Sequence, residues 1–542
     1  MHLPNEFVRR MESMLGPGSQ VFFNSFHGER YSGVRANLLK TSVDNFQQVL
    51  PFSLSSIPWC ASGFYYDGEE ELKRGLRPGK HPFHEAGLYY IQEPSAMAVA
   101  EAAGPVIRTR LTANQKARER GEAEKPLRVL DLCAAPGGKS SQLASILGGR
   151  GFLVSNEIHP ARAKILSQNM ERMGLTNGMV ISHSPEELSA RFPRCFDVIV
   201  VDAPCSGEGM FRKDEATVEQ WSPENVQMCA RRQKDILTDA VAMLAPGGTL
   251  IYSTCTFAPA ENEGVLLWLL RTWPELETVS AFADSSRFDQ GHPEWVTEEF
   301  GCEDAGELTD REKQQIRMAC RLWPQHIKGE GHFLVKLRRR SDSGEDFDGE
   351  ETDRDLSRSW MGRGEKKKGK KSGGASSNRT LSRPPTEWEE FVAEVFGDGT
   401  AALTRICGPG FQWLMFGEQL YAIGADCPGL DGLTVLRPGL HLGTVKKGRF
   451  EPSHALALAV TPNAIEDLGM WQRCEELWNL AVGNGDALAE RWLRGEALAE
   501  TALARLPRSG WNLMTYRGVP LGWGKVSGGA VKNHYPKGLR WV

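Results

Sequence analysis

Between residues 127 and 272, short apolar runs alternate with stretches of helical spacing, and this alternation limits the fold more than any other feature. Five strand-like runs, at 127–132, 151–155, 179–182, 196–201 and 249–252, are interspersed with helical patterns at 140–147, 160–173 and 222–244, and another follows at 260–272. In the run 196–201 (FDVIVV), four apolar residues stand in succession instead of alternating with polar ones. Such a strand is expected to be buried on both faces, which a parallel sheet covered by helices provides. The pattern predicts an α/β protein with a doubly wound, mostly parallel sheet. Residues 332–337 (HFLVKL) are expected to add a last edge strand.

Open α/β sheets bind ligands beyond the carboxyl ends of their strands, so those ends are where function is expected. The run 196–201 ends in Asp202-Ala-Pro-Cys205, and the run 248–252 ends in Ser253-Thr-Cys255. The first strand enters Cys133-Ala134-Ala135-Pro136-Gly137-Gly138-Lys139. Its glycines let backbone approach a ligand, and the helix that follows offers free N–H groups at its positive end. The loop is neither a GxGxxG nor a GxxxxGK[ST] motif. Near the end of the second strand stands Glu157, where an acid can accept hydrogen bonds from both ribose hydroxyls of a nucleoside cofactor. Loop and acid suit S-adenosylmethionine as well as NAD.

The cysteines narrow the chemistry. A thiolate is a strong nucleophile even when only a small fraction is ionised. Carbon 5 of cytosine is too poor a nucleophile to take a methyl group directly. Thiolate addition at carbon 6, with a proton or hydrogen bond at ring nitrogen 3, turns carbon 5 into an enamine-like centre. That scheme requires a cysteine, an acid and a base, which Asp202, Cys205 and Cys255 could supply. Free cysteines more often serve as small buried hydrophobes, but two of them at strand ends beside an acid favour the nucleophilic reading.

The motifs LDLCAAPGGKS (130–140), DAPCSGEG (202–209) and STCTF (253–257) resemble the signatures of the NOL1/NOP2/Sun family of RNA cytosine carbon-5 methyltransferases. The flanking RKD (212–214), WSP (221–223) and ENE (261–263) agree with it. Further segments, IPWC (57–60) with Gly63-Phe64, YIQEPS (90–95), VPLGWGK (519–525) and KNHYP (532–536), extend the likeness over nearly the whole chain. The likeness is nearest to the bacterial 16S ribosomal RNA methyltransferase F type. It implies a Rossmann-like S-adenosylmethionine-dependent methyltransferase core with a small α+β N-terminal domain and a C-terminal PUA-like RNA-binding module. By motif, Cys255 would attack carbon 6, Cys205 would assist release of methylated RNA, and Asp202 would contact ring nitrogen 3 and lie near the cofactor. Cys133 to Lys139 would hold the cofactor and Glu157 its ribose; Cys133 is given no catalytic role. Ser184 stands where the family usually has an aspartate near the adenine, which weakens that contact. Lys213 is read equally as a phosphate contact or a surface salt bridge, and His332 as a structural histidine.

The rest of the chain sets the organisation. An α+β domain is expected over 1–90, the catalytic domain over 91–340 and a flexible linker over 341–384. A small β-rich domain over 385–462 and the PUA-like domain over 463–542 complete the division. Helices are expected at 4–15, 43–49 and 96–103, the last capped by Ser95, with a solvated loop or helix over 108–126. The linker, with its lysine cluster 366–371, lacks the apolar residues to order itself. A helix is expected at 388–395, short strands at 413–416, 420–423 and 433–436, and a helix at 468–482 before a β-like tail. Beyond Glu500 there is no acid, but seven basic residues (Arg505, Arg508, Arg517, Lys525, Lys532, Lys537, Arg540) are interleaved with Trp511, Tyr516, Trp523, Tyr535 and Trp541. Such a mixture can follow a phosphate backbone and stack on bases. With a net charge of −5, RNA affinity must come from local patches of this kind. Eleven scattered cysteines without a CxxC pair argue for a reducing cytoplasm and against a disulfide framework or a metal site. The longest apolar run, 265–270, is too short for a membrane span. The resemblance implies a monomer acting on ribosomal RNA, either naked or within the small ribosomal subunit. The rivals are a transfer RNA cytosine methyltransferase and a non-catalytic RNA-binding assembly factor. Truncation after Arg340 is expected to weaken RNA binding more than cofactor binding.

Overall fold

A computed structural model describes residues 3–341, 379–397, 399–408, 410–468, 470, 474–476, 487–499 and 509–542. Most of the expected linker, its lysine cluster, nearly all of the expected 468–482 helix, and Arg505 and Arg508 lie outside the described residues.

The central sheet has ten strands. In chain order they are β1 (Arg128–Asp131), β2 (Phe152–Asn156), β3 (Gly178–Ile181), β4 (Phe196–Asp202), β5 (Leu244–Thr254), β6 (Leu276–Val279), β7 (Asp289–Gln290), β8 (Cys320–Leu322), β9 (His332–Arg339) and β10 (Val435–Arg437). Their spatial order is β7-β8-β9-β5-β4-β1-β2-β3-β10, with β6 also pairing with β9. The five strands β5-β4-β1-β2-β3 run parallel, as the sequence predicts. Both faces of these strands are covered. Ile199 and Val201 of β4 enter one apolar cluster, and Val198 and Val200 enter the cluster on the opposite face. This two-sided burial is the reason the strands lack polar alternation.

Strand β9 is not an edge strand. It lies antiparallel between β5 and β8, because the short strands β7 and β8 pair outside it. Nor does residue 103 end the helix after Pro94: the helix Met97–Glu119 continues through Pro105, with Ala98, Ala102 and Ile107 in the core. Ser95 does not cap it. The carboxylate of Glu93 accepts the Ser95 and Ala96 N–H groups at 3.0 and 2.8 Å instead.

The N-terminal segment forms a four-stranded sheet of Ser32–Ala36, Ser55–Ile57, Cys60–Tyr66 and Tyr89–Ile91. Two five-stranded sheets lie in the C-terminal part. One contains Gln412–Phe416, Gln419–Ile423 and Leu440–Lys446, and the other Gly510–Tyr516, Val519–Ser527 and Ala530–Asn533. The apolar strand expected around 433–436 forms, but as β10, antiparallel to β3 at the edge of the central sheet and outside the small sheets. Among the described residues no helix is long and apolar enough to cross a membrane.

Candidate active site

Adjacent parallel strands bring distant residues level at one end of the sheet. Asp202, the last residue of β4, pairs with Ser253 of β5, and Thr254 pairs with Phe333 of β9. Cys255 follows directly, and His332 opens β9. The loop after β4 folds back over the end of β5, where Gly209 N–H donates to the Cys255 carbonyl at 2.8 Å. A Cβ at position 209 would lie 2.9 Å from that carbonyl oxygen and 3.1 Å from the Glu330 carbonyl, so the approach requires glycine. The result is a contact between Cys205 and Cys255, whose Sγ atoms are 3.3 Å apart. Both are free thiols and only partly buried.

Buried acids hold this arrangement. Glu261 accepts the Ser206 N–H at 3.0 Å and the Gln233 side-chain amide at 2.8 Å, fixing the loop that carries Cys205. Glu208 accepts from Trp221 Nε1 at 2.9 Å, Phe257 N–H at 3.0 Å and Arg10 at 2.6 Å. It therefore ties the helix Asn5–Leu15 to the site. Arg212 pairs with Glu330 at 2.8 Å. The flanking motif residues Arg212, Trp221 and Glu261 thus act as supports for the thiol loops.

Asp202 has three side-chain partners. Lys139 Nζ lies 2.7 Å from Oδ2, the Ser253 hydroxyl donates to Oδ1 at 2.7 Å, and His332 Nε2 lies 3.2 Å from Oδ1. Burial alone would push its carboxyl up, but Lys139 and His332 outweigh it and hold the group well below the usual carboxylate range. Lys139 is shifted upward because its pair with Asp202 more than offsets its own desolvation. The Cys205 thiol is driven well above its ordinary value, first by its hydrogen bond to Cys255 and then by burial. Either sulfur can donate in this contact, and the upward shift favours the arrangement in which Cys205 holds the proton. Lys213 lies 4.0 Å from Glu330, nearer the salt-bridge reading than a free cation.

The loop 133–139 joins β1 to the helix Gly138–Leu147. Its carbonyls are tied to the helix Pro160–Met173: Arg162 donates to Ala135 O at 3.0 Å and Asn169 to Pro136 O at 2.7 Å. Gly137 has φ +115°, and a Cβ there would lie 3.0 Å from Met170 Cε, so this tight turn also needs glycine. Cys133 is partly buried beside Ala134, with its thiol raised by burial. Glu157 follows β2, accepts His159 N–H at 3.0 Å and lies 3.4 Å from Arg162. Two buried polar atoms near this loop, Asp131 Oδ1 and Gln92 Nε2, make no hydrogen bond among the described residues. Ser184 is engaged as a helix cap. It accepts the Glu187 N–H at 3.2 Å, and Glu187 accepts the Ser184 N–H at 3.0 Å.

Sequence reasoning missed four supports: Ser253 as a partner of Asp202, the buried acid Asp131, Glu93 as the cap and Arg35 as a brace. Arg35 donates to Gly138 O at 3.1 Å and to Ser141 Oγ at 2.6 Å, linking the N-terminal sheet to the helix Gly138–Leu147. No local pattern marks the partners of Ser253 and Arg35, 51 and 103 residues away, whereas Glu93 lies within three residues of the N–H groups it accepts. In the C-terminal tail, Tyr516, Trp523 and Tyr535 are 1%, 1% and 2% exposed and belong to the core, so they cannot stack on bases. Trp511 remains half-buried, with Lys525 Nζ 5.0 Å from its ring and His534 4.5 Å away.

Four family models match consecutive parts of the chain. The model for 16S rRNA methyltransferase RsmB/F matches residues 121–338, and that for the N-terminal domain of 16S rRNA methyltransferase RsmF matches 3–94. The RsmF first C-terminal domain matches 404–460, and the RsmF PUA domain matches 480–541. The chain belongs to the RsmB/F methyltransferase family. The RsmB/F match contains all three site motifs, and the other three give the chain the domain set described for RsmF. It is 40% identical over 282 residues to ribosomal RNA small subunit methyltransferase F of Escherichia coli O81 (strain ED1a), covering 51% of this chain and 55% of that protein. To the protein of the same name from Cronobacter sakazakii it is 34% identical over 312 residues, covering 56% and 61%. The chain thus spans a little over half the length of the curated relatives it matches. A solved methyltransferase homolog from Pyrococcus horikoshii is 27% identical with a TM-score of 0.49, covering 61% of this chain and 94% of that one.

Proposed function

We propose that this RsmB/F family chain methylates carbon 5 of a cytidine in 16S ribosomal RNA through a covalent cysteine adduct, using S-adenosylmethionine. The observation that carries the reading is the 3.3 Å contact between Cys205 and Cys255 beside the ionised Asp202. The cofactor fits the residues around the 133–139 loop. The helix N-terminus at Gly138 favours a carboxylate, the carboxylate of Glu157 suits a ribose diol, and Gln92 Nε2 and Asp131 Oδ1 are buried without protein partners. When bound, the cofactor supplies an electrophilic methyl group. The curated relatives are named for the small-subunit ribosomal RNA, which supports 16S RNA as the substrate.

Cys255 forms the sulfur–carbon 6 bond, and the electron pair of the 5,6 double bond becomes available at carbon 5. Asp202, held as a carboxylate, accepts the hydrogen bond of the protonated ring nitrogen 3. Lys139, whose ammonium lies 2.7 Å from Oδ2 of Asp202, is the neighbouring proton carrier. Cys205 retains its proton, so it stabilises Cys255 as a thiolate before attack and again as Cys255 departs. After methylation the carbon 5 proton passes to a base beside Cys205, while Cys205 itself stays protonated. The sulfur–carbon bond then breaks and the double bond re-forms. The base must leave its stack to reach these atoms. On the same footing we divide the chain at 1–90, 91–340, 341–384, 385–462 and 463–542, with the last unit binding RNA and the chain acting as a cytoplasmic monomer.

Tritium transfer from labelled cofactor to 16S RNA, with bisulfite mapping of the product, tests the reading. Cys255→Ala should abolish transfer while retaining cofactor affinity. Cys205→Ala should accumulate a protein–RNA adduct that survives denaturing gels. Normal turnover by Cys255→Ala, or free release of RNA by Cys205→Ala, would reverse these assignments.

A further inference from the structure

We propose that His332 is a positioning residue for methyl transfer, fixing the Asp202 carboxylate so that only Oδ2 faces the reacting base. The inference rests on the role given to Asp202 above. Oδ1 is engaged by two donors from two different strands, the Ser253 hydroxyl of β5 at 2.7 Å and His332 Nε2 of β9 at 3.2 Å. Among the described side chains, Oδ2 carries Lys139 alone, at 2.7 Å. His332 reaches Asp202 across the end of β5, the strand whose next residue is Cys255. The terminal torsion of the carboxylate is broad and roughly two-fold, so with Lys139 on one oxygen and Ser253 alone on the other, the two oxygens can exchange places. A second donor on Oδ1, reaching from β9 beyond β5, resists that exchange.

The chain entering β9 is built to hold His332 in place. Gly331 has φ +101°, and a Cβ there would lie 2.6 Å from the Phe257 ring and 3.2 Å from Leu322 O. Glu330 is anchored on both sides, its N–H donating to Glu93 at 2.9 Å and its carboxylate accepting from Arg212 at 2.8 Å. Besides Asp202, the imidazole has one hydrogen-bond contact, Nδ1 to the Gly331 carbonyl at 3.2 Å. His332 is 5% exposed and its Nε2 is engaged by Asp202, so its role is to act through Asp202.

The test compares His332→Phe and His332→Gln in the full chain, because glutamine retains a side-chain N–H donor. His332→Phe should lower kcat on 16S RNA by about tenfold or more, leaving KM for RNA and cofactor affinity within about twofold, the signature of an interaction used in the transition state. His332→Gln should recover most of the loss. A Phe variant with kcat within about twofold of wild type, or one altered only in KM, would overturn the inference. If His332→Phe does not fold, the double-mutant cycle of His332→Gln with Ser253→Ala decides. Both act on Oδ1, so their effects on kcat should be non-additive, and additive effects would count against the proposal. Wild-type protein inactive on 16S RNA would instead refute the function. His332 would then be judged by carboxyl NMR of Asp202, whose titration should move upward in the variants and stay unchanged if His332 does not hold it.

Discussion

Asp131 and Asp202 share Lys139 as a charge neighbour yet are shifted in opposite directions. Asp202 has Lys139, Ser253 and His332 around it and is held low. Asp131 is fully buried, receives one hydrogen bond from Ser140 at 2.6 Å and leaves Oδ1 unpartnered, so desolvation pushes it up to about 7 from 3.8. Burial wins where donors are few. With its folded pKa above the unfolded one, Asp131 contributes most to stability below about pH 4, and that contribution is lost as pH rises through about 7. Asp131→Asn removes this term. Its melting temperature relative to wild type should therefore rise between acidic and mildly alkaline pH, as thermal denaturation across that range would show. A constant difference would mean that Asp131 is not strained. The residue types at the strand ends were readable from the motifs, but this inequality between two carboxyl groups was not, since it depends on donors from other elements.

At the scale of elements, the site depends on how closely two loops approach. Gly209 permits the loop after β4 to rest on the Cys255 carbonyl, and an added Cβ would lie 2.9 Å from it. Gly209→Ala is expected to cost about 1–3 kcal/mol, the range for overpacking a close contact. It should also widen the gap between the thiols. Chemical denaturation and the rate of adduct formation measure the two effects, and a variant matching wild type in both would contradict the geometry. The core strands and their helices were legible because two-sided burial leaves unbroken apolar runs. The end of the helix Met97–Glu119 was not. Pro105 and the charged stretch after it read locally as a terminus, while tertiary packing of Ala102 and Ile107 carries the helix on. Likewise, Ser95 has the composition of a cap, but Glu93 supplies the bonds.

For the whole molecule, the described domains share apolar cores. One cluster joins Phe46, Phe83 and Tyr89 of the N-terminal part to Trp492, Tyr516 and Leu521 of the C-terminal part, with the Phe83 and Tyr516 rings 4.8 Å apart. Strand β10 closes the edge of the central sheet, and Arg437 within it pairs with Glu171. The sequence-based expectation that truncation after Arg340 mainly weakens RNA binding therefore needs correction. Removing that part uncovers Phe83 and Tyr89 and strips β3 of its partner, so the truncated chain should lose folding cooperativity and aggregate. Calorimetry and light scattering would show this, whereas a monomeric truncation with native cofactor affinity would reject it. By itself the sequence determined the parallel α/β core, the strand-end acid and thiols and the glycine-containing loop 133–139, because each rests on local periodicity or on a contiguous motif. Only the tertiary structure decided that Cys205 meets Cys255, that His332 reaches Asp202, that β9 is interior and that residues 435–437 complete the central sheet. Those contacts join positions tens to hundreds of residues apart, and their energies come from burial and hydrogen bonding that no short stretch of sequence contains.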